Sequence, residues 1–108
     1  MKNKRIRDRK HLAFIRELFC CVCLAPEPQA AHIRVGNSGG TGLKPGDDCT
    51  IPMCAKCHAK QHSFGEYFYW RSALTNAQQL AEYLYEITGD IEAARVAVAG
   101  FANAWKKL

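Results

Sequence analysis

Two cysteine pairs constrain this chain more than any other feature. Cys20-x2-Cys23 and Cys54-x2-Cys57 stand 30 residues apart in a chain of 108. A tight turn lets the two thiolates of one CxxC take adjacent corners of a tetrahedron. Two such pairs close a four-coordinate zinc site with no open position, a structural site. Reduced buried thiols or disulfides are the alternatives. A secreted disulfide framework would spread its cysteines more widely, whereas none lies in the last 51 residues. Cys21 and Cys49 are left over and read as core residues. Cys21 is also a rival ligand, although Cys21-x-Cys23 is a poor chelate.

A chain of this length is expected to form one domain burying only about two-thirds of its unfolded surface, so a structural metal would add much. At 48% hydrophobic and 23% charged residues it is too apolar for a disordered protein. No apolar run approaches the roughly 18–20 residues of a membrane span, so no membrane partner is expected. No apolar segment follows the basic N-terminus, which therefore does not read as a secretory signal. The net charge of +5 comes entirely from Met1–Lys10, which holds six basic residues and one acid, while 11–108 are neutral overall. We read 1–10 as a basic arm with Lys2, Lys4, Arg5 and Arg7 available to phosphates, and as removable without loss of chemistry.

Hydrophobic spacing predicts a helix over Asp8–Phe19, with Leu12, Ile15, Leu18 and Phe19 on one face. Ala30–Val35 and Thr50–Met53 read as strands around a Gly-rich loop, Gly36–Asp48. A helix follows from Cys54 to about Ser63, broken near Gly65. Further on, Asn76 is placed to cap a helix with Leu80, Tyr83, Leu84 and Ile87 inward, ended at Gly89. Asp90 is placed to cap a last helix with Ile91, Ala94, Val98, Phe101 and Trp105 inward. These two helices carry no ligand-type residues and read as a packing or homodimerisation element. The expected organisation is an arm, 1–10; a zinc-stabilised core, 11–70; and a helical extension, 71–108, packed on the same domain.

Three of the four histidines fall between or just after the cysteine pairs. His58 and His62 are i and i+4 on the predicted helix and share one face, where they can bind one cation. His58 follows Cys57 directly, so a zinc would fix the start of that helix. His32 lies on the first strand. Singly, each has a plainer reading as a satisfied strand residue or an incidental surface pair; the ordered combination is specific.

In that order the segments CCVC, AAHIR, GTGLKPGDD and IPMCAKCHAKQH resemble the HNH (ββα-metal) nucleases. The likeness is greatest to small phage and prophage types related to the bacteriophage recombination-enhancement nuclease. It spans residues 12–70, including GEYFYW. The resemblance implies an α+β, treble-clef-like fold: a β-hairpin and helix clasping a catalytic divalent cation (Mg2+, Mn2+, Ni2+ or Zn2+) beside a structural Zn2+. It implies a DNA endonuclease of the bacterial cytoplasm, with single-stranded or branched DNA among its substrates. His32 matches the general base, His58 the final signature residue that binds the cation, and His62 a further ligand. Asp47 matches a loop acid that ligates the cation or orients His32. Phosphodiester hydrolysis needs an activated water and a cation beside the phosphate. A Gly-rich loop permits close phosphate approach, with Arg34, Lys44 and Lys60 in reach. Ala31 stands where most members have a metal ligand. This motivates a second reading, a zinc-stabilised DNA-binding module without catalysis.

Overall fold

A computed structural model of the chain describes residues 6–35 and 45–106. Its elements run α1 (Arg9–Arg16), β1 (Gln29–His32), β2 (Thr50–Met53), α2 (Ala55–Phe64), α3 (Glu66–Trp70), a 3-10 turn (Arg71–Ala73), α4 (Leu74–Glu86) and α5 (Ile91–Lys106). The class is α+β, as expected. Lys2, Lys4, Arg5 and Lys44 lie outside the described residues, as does most of the Gly-rich loop.

The strands form one antiparallel pair in the register Gln29↔Met53, Ala30↔Pro52, Ala31↔Ile51 and His32↔Thr50. β1 stops at His32 rather than Val35, but the ladder gains one more bond, Ile33 N–H to the Cys49 carbonyl at 2.8 Å. Ala31 and Ile51 face each other fully buried. The residue before His32 therefore belongs to the core and points away from any site that His32 serves. On the far edge of β2, Cys21 N–H donates to the Pro52 carbonyl (2.8 Å), so the first cysteine turn continues the sheet. Cys21 is fully buried, whereas Cys49, expected in the core, is only half-buried.

α1 is capped by Asp8, whose carboxylate accepts from His11 N–H at 2.9 Å. The helix ends at Arg16, short of the predicted Phe19, which is exposed. α2 begins on Cys54 and stops at Gly65 (φ 84°), a left-handed position that suits glycine. Gly65 turns the chain into α3, and Trp70 Nε1 donates back to Gln61 Oε1 (2.8 Å, both buried), locking α3 on α2. Trp70 also meets Phe101 and Trp105 of α5 edge-on, at 5.7 and 5.2 Å between rings. α4 and α5 thus pack on the same core through Ala77, Leu80, Ala81, Leu84, Ala94 and Val98.

Two expectations for the C-terminal helices need correction. Asn76 caps nothing: α4 starts at Leu74, because the 3-10 turn runs straight into it and the Arg71 carbonyl takes the Leu74 N–H. Tyr83 lies on the exposed side of α4, at the flank of the stripe formed by Ala77, Leu80, Ala81 and Leu84. Asp90 does cap α5, accepting from Ala93 N–H at 3.1 Å.

The arm also ends earlier than expected. Asp47 N–H donates to the Ile6 carbonyl (2.8 Å), and Asp8 N–H donates to Asp47 Oδ2 (2.8 Å). A Cβ on Gly46 would collide with Asp48 and press on Ile6 N at 3.1 Å, so glycine lets these segments touch. Residues from Ile6 onward are therefore part of the domain, and cutting at Lys10 would remove the α1 cap and its first turn. Asp8→Ala should cost about 1–2 kcal/mol in denaturant unfolding.

His11 is fully buried, and its Nδ1 lies 2.8 Å from Thr88 Oγ1. The Thr88 hydroxyl donates to the Tyr85 carbonyl, so its oxygen accepts Nδ1–H and leaves Nε2 as a buried lone pair without a partner. Burial holds the His11 pKa below 6.5, against the opposing pull of Asp8, Asp47 and Asp48. Below about pH 6.5 the unfolded chain binds this proton and the folded one resists it, so stability declines as pH falls through that value. His11→Phe, which has no proton to take up, should flatten the melting-temperature profile below pH 6.5 relative to wild type.

Candidate metal centre and histidine cluster

The four predicted ligands converge. The sulfurs of Cys20, Cys23, Cys54 and Cys57 all lie within 4.8 Å of one another, with Cys23 and Cys54 3.6 Å apart. Zinc–sulfur bonds of roughly 2.3 Å set tetrahedral sulfurs about 3.8 Å apart, so the cluster fits the ion with little adjustment. The surroundings fit as well. Cys20 Sγ faces Val22 and Cys23 N–H at 3.4 and 3.5 Å, and Cys54 Sγ faces Cys57 N–H at 3.4 Å. Those amides stabilise thiolates and fix their direction. All six cysteines are free of disulfides.

Each CxxC is shaped by its local backbone. In the first, Leu24 takes φ 64° and returns its N–H to the Cys20 carbonyl, while Cys20 N–H reaches the Ala25 carbonyl; both bonds are 2.9 Å. In the second, Cys54 is the N-cap of α2, so the helix aims its first amides at the sulfur. Burial raises the thiols of Cys23 and Cys57, neighbouring thiols adding to the effect at Cys57. Burial opposes ionisation of Cys54 too, but hydrogen bonds from Cys57 N–H and the adjacent thiols bring it down to about 7.

The histidines form two groups. His32 Nε2 lies 3.0 Å from Asp47 Oδ1, and Asp47 is buried with its other oxygen held by Asp8 N–H. This pair opens into a cleft of about 520 Å³ bordered by Arg7, Arg9 and Leu12. On α2, His58 Nδ1 meets Gln29 Oε1 at 2.7 Å, and the Nε2 atoms of His58 and His62 stand 3.2 Å apart. Two nitrogens bound at roughly 2.1 Å and at about 90–109° to one cation lie about 3.0–3.4 Å apart, so this pair has the spacing of a chelate. Burial lowers the His58 pKa, with His62 and then His32 adding to the effect; the neutral, metal-competent ring is thereby favoured.

Asp47 does not join the α2 histidines. Among the described residues the four cysteines are the one group of three or more ligand atoms within 4.8 Å, and both Asp47 oxygens are engaged by His32 and Asp8. Its geometry is that of an orienting group for His32, and the expectation that it ligates the cation finds no support in this placement. Arg34 contributes its backbone: its N–H and that of Val35 bind the two oxygens of Glu66, each at 2.8 Å. Lys60 lies with Lys56 on a different side of α2 from His58.

Sequence reasoning missed Asp8, Arg9, Gln29 and Glu66. Glu66 had a signal, since it begins the helix after Gly65, but its role is to hold the end of β1 from 31 residues away. Gln29 precedes the first strand by one predicted residue and only the register brings it to His58.

The fold and site define a small α+β protein with a four-cysteine cluster that could hold a metal ion. The chain belongs to the DUF968 family, described as a protein of unknown function, which matches residues 1–79. That span contains both cysteine pairs and all four histidines and stops within α4. No curated protein and no solved structure matches the chain. Among the described residues no helix is long and apolar enough to cross a membrane.

The four-thiolate centre predicts about one tightly bound zinc per chain. Chelation should lower the melting temperature sharply, because structural zinc supplies on the order of 10–16 kcal/mol of apparent binding energy. Cys57→Ser should reproduce most of that loss, and an unchanged melt after chelation would exclude the site.

Proposed function

We propose that the chain is a metal-dependent DNA endonuclease of the HNH type, and the observation that carries this reading is the β1–β2–α2 unit with its two histidine groups. A paired hairpin leads directly into a helix, with a His–Asp pair on the strand side and a His–His pair of chelate spacing on the helix. Arg7 and Arg9 border the same cleft as His32 and Asp47, as a phosphodiester substrate requires.

In this reading Asp47 accepts His32 Nε2–H and fixes the tautomer, which leaves the Nδ1 lone pair to take a proton from water. The water oxygen then attacks phosphorus and the bond to the leaving 3′-oxygen breaks. Arg7 and Arg9 hold the phosphate and offset its growing negative charge. Gln29 accepts His58 Nδ1–H, so that His58 Nε2 and His62 Nε2 would be free to hold one cation. Such a cation, when bound, neutralises the phosphoryl oxygens and stabilises the leaving group.

A second reading, DNA binding without turnover, draws on the fully buried Ala31, which supplies no ligand. One assay separates the two. Zinc-loaded protein is incubated with plasmid and with single-stranded DNA in Mg2+, Mn2+ or Ni2+. Wild type should cleave with at least one cation, His32→Ala should fall by about 10²–10⁴-fold, and Arg7→Ala/Arg9→Ala should lose about tenfold or more in kcat/KM. If His32→Ala cuts as fast as wild type, the catalytic assignment is wrong. Salt-dependent binding with no cleavage in any cation would favour the second reading.

A further inference from the structure

α2 carries two opposite rows of side chains. His58 and His62 form one. Lys56, Lys60 and Phe64, each four residues apart, form the other, roughly 180° around the helix. The second row walls a groove of about 800 Å³ whose far side comes from α3, the 3-10 turn and the end of α5. Four cations border it (Lys56, Lys60, Arg71 and Lys106), and no acidic side chain does among the described residues. Cys23 and Cys57 reach its floor. A zinc tetrathiolate there carries a formal charge of −2, which still leaves the groove net positive.

The apolar surface of this groove is set apart by two exposed phenyl rings that share one wall with its cations. Phe64 and Phe68 are 61% and 76% exposed. Behind them, Tyr69 stacks on Trp105 at 5.6 Å between ring centroids, and Trp70 closes the floor. The phenyl rings therefore stand in solvent on a rigid aromatic base. Arg71, next to this base, is held at φ 53° and ψ −125°, a conformation unfavourable for a residue with a side chain.

We propose that this groove binds single-stranded nucleic acid, with bases stacked on Phe64 and Phe68 and phosphates paired with Lys56, Lys60, Arg71 and Lys106. Exposed π-faces interleaved with cations match a polymer that alternates flat apolar rings with a negatively charged backbone. A duplex keeps its base faces stacked internally and offers the phenyl rings nothing. An acidic peptide would satisfy the lysines without using the rings. The groove lies across α2 from His58 and His62, so this proposal stands apart from the nuclease reading and survives if the chain cleaves nothing.

The test uses the full zinc-loaded chain bearing His32→Ala, titrated with a fluorescein-labelled oligothymidylate and followed by anisotropy. Phe64→Ala/Phe68→Ala should weaken binding by about tenfold per ring removed and leave the salt slope unchanged. Lys56→Ala/Lys60→Ala should instead flatten that slope by about 1.4, roughly 0.7 per phosphate contact. Both pairs are exposed enough that the melting temperatures should match wild type, which checks the fold. Equal affinity for a duplex of the same length, insensitive to the phenyl substitutions, would overturn the proposal. So would full displacement by polyglutamate at equivalent charge, or a concentration-dependent dimer abolished by Phe68→Ala, which would assign the groove to a protein partner or a second copy. A wild-type chain that cleaves DNA while the phenyl variants bind normally would sink this proposal and leave the nuclease reading intact.

Discussion

Convergence of four sulfurs at one point is the constraint on which the rest of the structure depends. The first cysteine pair follows α1 and pairs with the edge of β2, and the second forms the entrance to α2. Joining them fixes the angle at which α2 leaves the hairpin, and with it the positions of His58, His62 and the Lys56–Lys60–Phe64 row. The arrangement is also chemically demanding. Burial disfavours ionisation at Cys23 and Cys57, and four thiolates within 4.8 Å repel one another. A divalent cation removes both penalties at once. This is why metal, proton release and folding are linked in centres of this kind. Leu24, a non-glycine residue at φ 64°, shows the same dependence locally, since a left-handed leucine is held only by what surrounds it.

A second knot lies at Asp47. This buried carboxylate accepts from Asp8 N–H and lies against His32 Nε2, while its own N–H donates to the Ile6 carbonyl. One residue thus ties the N-terminal segment, the end of the Gly-rich loop and β1. The tie accounts for the position of Arg7 and Arg9 beside His32. A free basic tail would sample the whole surface, whereas a segment pinned by two hydrogen bonds to Asp47 presents Arg7 and Arg9 at one place and would lose less entropy on binding. The N-terminal charge is then partly directional and not only a general attraction for polyanions.

What was readable in the sequence follows from how local its cause is. The CxxC pairs, the β2 bounds at Thr50–Met53 and the His58–His62 spacing each depend on a few adjacent residues and on fixed ligand chemistry, and all appear as expected. Gly65 and Asp90 were readable because a left-handed turn and a helix cap have narrow residue preferences. The failures are long-range or continuous. Nothing within a local window relates Asp8 to Asp47, which are 39 residues apart, or Glu66 to the amides of Arg34 and Val35. Asn76 has the chemistry of a cap, but the preceding 3-10 turn makes a cap there unnecessary. The charged-aromatic side of α2 has no local signature, because its partners, Arg71 and Lys106, come from later elements that only tertiary packing brings alongside.

The neutrality of residues 11–108 gains a different meaning once the charges are placed. Glu66, Asp47 and Asp90 face backbone N–H groups and hold loops and helix ends. Asp48, Glu82 and Glu86 gather in a small cleft of about 270 Å³ beside α4 that no cation borders among the described residues. The lysines and arginines of the α2–α5 groove lie elsewhere, without acids between them. A balanced formal charge therefore conceals separated fields of opposite sign. Such fields matter at the scale of a Debye length, about 8–10 Å at moderate salt, comparable with the width of a helix. On the proposed readings, a polyanion approaching this molecule would be repelled at the α4 cleft and attracted at the groove and at the Arg7–Arg9 cleft. Orientation before contact then comes from the distribution of charge, and total charge sets only how far that steering reaches.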